Sequence, residues 1–206
     1  MDPSAPITSP KATLGRTLAD GLTVGRAVIG LPLLLALLDG RFALAWVLLL
    51  LGGLSDAADG WLARRSGGGS VWGARLDPLT DKILISAPLL WLGAVQRPDL
   101  LALPLWAVWL LLARELLISG WRAGQGNGGP ASKSGKAKTI LQFVALLLLL
   151  WPPSWVEGLA PGLHRLGFWL FWPSLILALT SALGYLRAAS STSSPLVSGV
   201  EAGRRA

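Results

Sequence analysis

The segment that decides the fold is SDAADGWLARRSGGGSVWGARLDPLTDK, residues 55–82, which joins two apolar runs. It holds four of the eleven acidic residues of the chain. Asp56 and Asp59 are three positions apart at the end of one run, and Asp77 and Asp81 are four apart at the start of the next. Either spacing places both carboxylates of a pair on one face of a helix. Because the connection is short, we expect the two helices to be antiparallel neighbours whose aspartate pairs meet.

Apolar runs recur throughout the chain. It is 52% hydrophobic and 14% charged, whereas a soluble domain has about 25% charged residues. Runs of about 20 apolar residues can cross a bilayer as helices, so the composition predicts an all-α integral membrane protein with six transmembrane helices. The predicted spans are 23–38, 43–63, 79–96, 101–120, 139–152 and 167–187. They form one membrane domain (21–188), between a polar N-terminal arm (1–20) and a disordered C-terminal tail (189–206).

Positive charge is unevenly distributed among the predicted connections. The net charge is +7, and with the N-terminus inside only Arg41, Arg97 and Arg165 fall on the outer side. This pattern predicts a multi-pass inner-membrane protein with cytoplasmic N- and C-termini. A basic cytoplasmic face attracts anionic membrane lipid. Nucleic acid is not an expected partner, because no basic segment is interleaved with aromatic residues.

The four aspartates predict bound cations, because carboxylates gathered at a membrane boundary repel one another unless cations neutralise them. Carboxylate oxygens suit Mg²⁺, Mn²⁺ or Ca²⁺. Each aspartate also has a structural alternative: Asp77 before Pro78 as a helix cap, Asp59 as part of a turn, and Asp56 as the partner of an arginine. We favour a metal site for the group as a whole, because carboxylates in or beside membrane spans are costly and usually functional.

The spacing Asp56-x2-Asp59-Gly60-x2-Ala63-Arg64-x8-Gly73-x3-Asp77-x3-Asp81 resembles the signature of the CDP-alcohol phosphatidyltransferases. The resemblance implies six transmembrane helices, commonly a homodimer, and two divalent ions, Mg²⁺ or Mn²⁺, at a cytoplasmic site. It implies Asp56, Asp59 and Asp77 as metal ligands, with Asp81 beside the metals as the base that deprotonates the attacking hydroxyl. It also implies that Gly60, Ala63, Arg64 and Gly73 line the CDP part of the donor.

A second polar segment interrupts the later apolar runs. Arg114 and Glu115 lie inside the fourth run, where charges are costly unless they are paired or face a polar cavity, and we expect Glu115 to orient an arginine. Further basic residues follow at the predicted inner side: Arg122, Lys133, Lys136 and Lys138. Such a basic rim favours an acceptor that carries a phosphate, although topology and lipid binding would also explain it. Lys82 is interpreted as an interfacial cation.

Three stretches carry a narrower resemblance, to bacterial glycerophosphate phosphatidyltransferases: LARR with LDPLTDK, ARELLIS with Arg122 and SGKAKT, and Leu22-Thr23-x2-Arg26. This likeness covers about residues 20–150. It implies transfer from CDP-diacylglycerol to sn-glycerol 3-phosphate, giving phosphatidylglycerophosphate and CMP. The implied acceptor-phosphate residues are Arg114, Arg122, Lys136 and Lys138, and Thr23 and Arg26 would assist the donor site. The Asp20-Gly21 start of the first helix departs from the Asn-Pro type of the relatives.

Other functions remain open at this point. A sister transferase would use inositol phosphate or phosphatidylglycerol as its acceptor. A cation transporter is a remote alternative, because its ionisable groups should lie near mid-bilayer, often in repeated halves, and no repeat is visible. A covalent route through paired histidines is not expected, since His164 is the only histidine and falls in the predicted outer loop 151–167.

Overall fold

The computed structural model describes residues 28–65, 71–95, 102–124 and 133–192, together with Gly21 and Gly25. Side chains are described throughout these ranges except at 56–57, 59–65, 71–79, 81, 121–124, 133–136 and 185–192. Every regular element in the described ranges is an α-helix, which confirms the all-α prediction. The helices are α1 (Val28–Leu38), α2 (Phe42–Arg65), α3 (Val71–Ala94), α4 (Leu105–Gly124), α5 (Lys133–Leu149) and α6 (Ala160–Thr192).

A tight turn connects α1 to α2. Gly40 has a φ of 72°, a left-handed conformation that glycine adopts without steric cost. The N–H of Arg41 donates to the carbonyl of Ala36 at 2.8 Å, the bond that closes a helix end of this type. The exposed ion pair between Arg41 and Asp39 (3.1 Å) contributes little, because water screens it. The turn ends α1 at Leu38 and lets α2 begin at Phe42.

Glycines bring α2 close to its neighbours. A methyl group added at Gly52 would overlap the side chain of Leu84 on α3, and one added at Gly53 would overlap the ring of Phe143 on α5. Small residues at helix contacts permit the close backbone approach by which membrane helices typically associate. These contacts fix α2 between α3 and α5 about one turn before Asp56.

The contact between α5 and α6 is the most extensive in the described chain. At Gly167, which is buried, α6 approaches the α5 main chain closely. A β-carbon at this position would lie 2.8 Å from both the Ala145 carbonyl oxygen and the Leu149 nitrogen. Hydrogen is therefore the only side chain that fits without moving one helix.

Replacing Gly167 by alanine should destabilise the protein by about 1–3 kcal/mol, the usual cost of overpacking against atoms that cannot rotate away. The matched control is Gly184→Ala, in the same helix but with open space around the added methyl. That variant should be neutral or stabilising by up to about 1 kcal/mol. Thermal unfolding in detergent measures both, and an unchanged midpoint for Gly167→Ala would contradict the close packing of α5 on α6.

Three tryptophans pack together where α2 begins and α5 ends. The ring centroids of Trp46, Trp151 and Trp155 are 5.0–5.6 Å apart in edge-to-face contacts. The indole Nε1 of Trp46 also donates to the Leu147 carbonyl at 2.8 Å. Edge-to-face packing adds to the stabilisation that comes from area burial, so this cluster holds the start of α2 against the end of α5.

Three helices start at least six residues earlier than the apolar runs predict: α3, α6 and α5, which begins at Lys133 rather than at residue 139. The sixth span was expected at 167–187, but α6 begins at Ala160, because Pro161 is compatible with the first turn of a helix. His164 is consequently not in a loop: it lies in α6, is buried, and has Nε2 3.0 Å from the Trp151 carbonyl oxygen. The third helix begins at Val71 rather than near residue 79, since its first turns are polar and hydropathy does not detect them.

Large apolar side chains are exposed along the outside of the helices. They recur at helical spacing, as at Leu31, Leu35 and Leu38 on α1 and Leu44, Val47, Leu51 and Leu54 on α2. One described helix segment, Ala160–Gly184, is long and apolar enough to cross a membrane by itself. Shorter apolar segments occur at Val28–Leu38, Phe42–Ser55, Lys82–Ala94 and Ala137–Leu149. Extended apolar stripes of this kind mark surfaces that contact another apolar phase.

Candidate active site

The two aspartate pairs lie on neighbouring helices. Asp56 and Asp59 belong to the last part of α2, and Asp77 and Asp81 belong to the first half of α3. Each pair is therefore on a continuous helix, which is the condition for residues three or four apart to share a face. Since α2 ends at Arg65 and α3 begins at Val71, both pairs are at the same end of this helix pair. The four side chains lie outside the described set, so their roles stay predictions.

Helix boundaries exclude two structural alternatives for these aspartates. Asp77 does not cap a helix, because α3 begins six residues earlier at Val71. Asp59 does not form a turn, because it and Gly60 are inside α2, which continues to Arg65. The third alternative, pairing of Asp56 with an arginine, concerns a side chain that the structure does not describe. Capping and turn formation thus account for neither Asp59 nor Asp77, which favours a chemical role.

The predicted donor-binding residues are at the same end of the molecule. Gly60, Ala63 and Arg64 lie in the last two turns of α2, and Gly73 lies in the first turn of α3. The structure describes their backbone and not their side-chain surroundings. Thr23 and Arg26 lie outside the described residues altogether. Binding of the donor by these six residues therefore remains a prediction.

The predicted acceptor residues divide into two groups. Arg122 is in the last turn of α4 and Lys136 is in the first turn of α5, both with undescribed side chains. Arg114 and Lys138 are described in full, and both are buried. They contact the same carboxylate, that of Glu115. The structure thus brings Arg114 and Lys138 together and leaves Arg122 and Lys136 untested.

Glu115 is the centre of a buried ion cluster. Its Oε2 lies 2.6 Å from Nζ of Lys82 on α3, and its Oε1 accepts from Nη1 of Arg114 at 2.9 Å and from Nζ of Lys138 on α5. The Glu115, Arg114 and Lys138 side chains are at most 9% exposed, so pairing, one of the two conditions under which charges in this apolar run are tolerated, is met. Three cations around one carboxylate leave a net charge of +2 when all are ionised.

Arg114 connects this cluster to α6. Its Nε donates to the Ala178 carbonyl at 2.8 Å, and its Nη2 donates to Oγ of Ser181. Together with the bond from Nη1 to Glu115, all three guanidinium nitrogens have a protein acceptor. The fixed donor geometry of a guanidinium makes such an arrangement rigid. The cluster therefore ties α3, α4, α5 and α6 to one another.

A cavity of about 390 Å³ opens beside the cluster, between α3, α4 and α5. The polar residues of its lining include Lys82, Glu115, Lys138, Thr139 and Gln142. Its other walls are mostly apolar, formed by Ile83, Ile85, Leu90, Leu112 and Leu116, with Ser86 among them. Concave sites with apolar walls and a few convergent polar groups are typical of ligand pockets. The ion cluster contributes Lys82, Glu115 and Lys138 to this lining.

Lys82 is the member of the cluster that the sequence interpretation left out. It directly follows Asp81, and as an isolated cation at the start of an apolar stretch it resembled an interfacial residue. The structure pairs it with Glu115 instead. Charge balance within α4 does not signal the further cations, Lys82 and Lys138, because the adjacent Arg114 already balances Glu115. Sequence spacing does not identify those cations, because they lie on separate helices.

No group of three or more His, Asp or Glu residues is placed to hold a metal ion among the side chains that the structure describes. The four aspartates of the predicted metal site are not in that set. Their donor chemistry nevertheless fits the expected ions, because carboxylate oxygens are the ligands that Mg²⁺ and Mn²⁺ prefer. The helical backbone at both pairs supplies the spacing that lets two such oxygens share a face.

Comparison with known proteins extends over this whole region. Residues 16–180 match the CDP-alcohol phosphatidyltransferase family. Similar proteins from Shigella flexneri, Salmonella typhimurium and Escherichia coli are each named CDP-diacylglycerol–glycerol-3-phosphate 3-phosphatidyltransferase. Each is 37% identical over 142 residues, which is 66% of this chain and 72% of the relative. The resemblance in the aspartate motif is thereby confirmed: the chain belongs to the CDP-alcohol phosphatidyltransferase family.

Proposed function

We propose that this enzyme transfers the phosphatidyl group of CDP-diacylglycerol to sn-glycerol 3-phosphate, giving phosphatidylglycerophosphate and CMP. The observation that carries the choice of acceptor is the buried cationic cluster of Lys82, Arg114 and Lys138 around Glu115. The names of the similar bacterial proteins support the same choice.

The excess charge of the cluster favours an acceptor with a phosphate. Buried charge without a counter-charge is strongly destabilising, and a phosphate monoester carries about −1.5 to −2 charge at pH 7. A phosphate bound beside the cluster would balance the net +2, whereas a neutral alcohol would not. Because each Arg114 nitrogen already has a protein acceptor, Arg122, Lys136 and Lys138 are the direct phosphate ligands in this proposal. Arg114 contributes charge and orients Glu115.

The donor is bound at the aspartate end of α2 and α3. Arg64 forms charge-assisted hydrogen bonds to its pyrophosphate, and Gly60 lets the nucleotide approach the backbone closely. Ala63, Gly73, Thr23 and Arg26 complete the donor site. Asp56, Asp59 and Asp77 would hold two divalent cations, Mg²⁺ or Mn²⁺, beside Asp81. These cations would neutralise the charge that develops on the pyrophosphate.

Asp81 is the general base of the reaction. It accepts the proton of the glycerol 3-phosphate 1-hydroxyl while that oxygen forms a bond to the β-phosphorus of the donor. The bond from this phosphorus to the CMP oxygen breaks, and CMP leaves with the electron pair. Direct displacement is preferred to a covalent intermediate, since the single histidine, His164, is buried against the Trp151 carbonyl.

The enzyme is proposed to span the inner membrane six times, with both termini and the active site cytoplasmic, and to form a homodimer. The six described helices and their exposed apolar stripes support membrane insertion. The basic residues at the predicted inner side support the orientation. The membrane domain covers residues 21–188, with the arm 1–20 and the tail 189–206 outside it.

An acceptor panel tests the proposed function. With purified enzyme, CDP-diacylglycerol and Mg²⁺, glycerol 3-phosphate should release CMP at least about 10²-fold faster than glycerol, which differs only in lacking the phosphate, because buried polar groups left unpaired penalise the analogue. CMP release with inositol phosphate or phosphatidylglycerol, and none with glycerol 3-phosphate, would overturn the assignment of glycerol 3-phosphate as the acceptor. Metal flux into liposomes without CMP release from any acceptor would favour a transporter and overturn the enzymatic proposal.

A further inference from the structure

We infer that Glu115 is a positioning residue that holds α3, the helix of Asp77 and Asp81, in register with α4 and α5. The inference rests on the proposed function in one respect only: its kinetic experiment measures the reaction proposed above. In structural terms, the buried Glu115 carboxylate and the three cations around it fix the position of α3.

Both Glu115 oxygens are used by cations from different helices. Oε2 contacts Lys82 of α3 at 2.6 Å, and Oε1 contacts Lys138 of α5 and the adjacent Arg114. Glu115 itself is 5% exposed, so water competes little for these bonds. A carboxylate with both oxygens occupied in this way acts as a junction between helices.

The contact with Lys82 links Glu115 to α3, the helix that carries Asp81. Lys82 is the residue after Asp81, and a helix advances about 1.5 Å per residue. Any sliding or rotation of α3 that breaks the Lys82–Glu115 pair therefore moves the Asp81 backbone by a comparable distance. A misplacement of about 1 Å at reacting groups lowers rates about 10²-fold, so this pair should govern kcat.

The other contacts hold the remaining helices. Lys138 ties α5 to Glu115, and Arg114 anchors α4 to the Ala178 carbonyl and to Ser181 of α6. Since Lys138 is a proposed acceptor ligand, loss of this contact should raise the KM for the acceptor. Glu115 thus joins the helix that carries the base to the helix that carries an acceptor ligand.

A purely neutralising role for Glu115 predicts a different outcome, and the charges of the cluster allow the two to be separated. The net charge is +2 in the wild type, +3 in Glu115→Gln, +1 in Lys82→Met, and +2 again in the double variant. If Glu115 only compensates buried charge, the double variant should regain wild-type kcat and stability. If it positions α3, the double variant should regain stability but not kcat, because the ion pair between Lys82 of α3 and Glu115 of α4 is lost.

The experiment is this double-mutant cycle, measured as CMP release and as thermal unfolding in detergent. We expect Lys82→Met and the double variant to lose about 10- to 100-fold in kcat, measured at saturating glycerol 3-phosphate. Glu157→Gln, which removes an exposed carboxylate before α6, should match the wild type. Wild-type kcat in Lys82→Met or in the double variant would overturn the inference.

Hydrogen exchange of the α3 amides gives a readout that does not depend on activity. Exchange across residues 77–86 should accelerate in the double variant even though its unfolding midpoint recovers, and unchanged exchange would overturn the inference. If the wild type uses another acceptor, the proposed function fails in its choice of acceptor. The role of Glu115 is then still decided by hydrogen exchange and by kcat measured with the acceptor that the wild type uses.

Discussion

Asp81→Asn should lower kcat for CMP release by about 10²–10⁴-fold, the usual contribution of a positioned general base. Asparagine keeps the size of aspartate but cannot take a proton from the acceptor hydroxyl. The variant should still fold, because the exchange is nearly isosteric and α3 continues unbroken through this position. Steady-state CMP release at saturating substrates, together with the thermal unfolding midpoint, measures both expectations.

The matched control is Asp39→Asn. Asp39 is an exposed aspartate in the turn between α1 and α2, where its ion pair with Arg41 is open to water. This variant should keep the wild-type rate. A rate for folded Asp81→Asn above about a tenth of the wild-type rate would exclude Asp81 as the base. Another group would then have to accept the proton of the hydroxyl.

Removal of divalent cations should abolish CMP release, and added Mg²⁺ or Mn²⁺ should restore it. Asp56→Asn should lower kcat/KM at least about 10²-fold and raise the Mg²⁺ concentration needed for half-maximal rate, since loss of a carboxylate ligand weakens metal binding. The same Asp39→Asn variant serves as control. Undiminished release in excess chelator, or an Asp56→Asn variant with unchanged Mg²⁺ dependence, would contradict the metal site.

Much of the helical architecture could be predicted from apolar runs, and the deviations have physical causes. Hydropathy finds the lipid-compatible part of a helix, so it placed the third helix near residue 79 although its polar first turns extend back to Val71. It also treated the Pro161-Gly162 stretch as loop, although proline is accommodated in a first helical turn. That error also placed His164 in a loop, when it is a buried residue of α6.

The candidate site was only partly visible in the sequence. The aspartate motif identified the family because its residues are close along two adjacent helices. The ion cluster was predicted only in part: Arg114 and Glu115 interrupt one apolar run, where charges must be paired or face a polar cavity, and Glu115 was expected to orient an arginine. Lys82 could not be assigned to it, because its contact with Glu115 depends on how α3 packs against α4. Packing between helices, unlike spacing along one helix, is not encoded in local pattern.

The central claim is that the 1-hydroxyl of glycerol 3-phosphate attacks the β-phosphorus of CDP-diacylglycerol. It is tested most directly with glycerol 3-phosphate carrying ¹⁸O at the 1-hydroxyl, followed by mass spectrometry of the lipid and nucleotide products. The account predicts phosphatidylglycerophosphate that retains the label, formed in equal amount to unlabelled CMP. An unlabelled lipid product, or CMP release without any phosphatidylglycerophosphate, would contradict it.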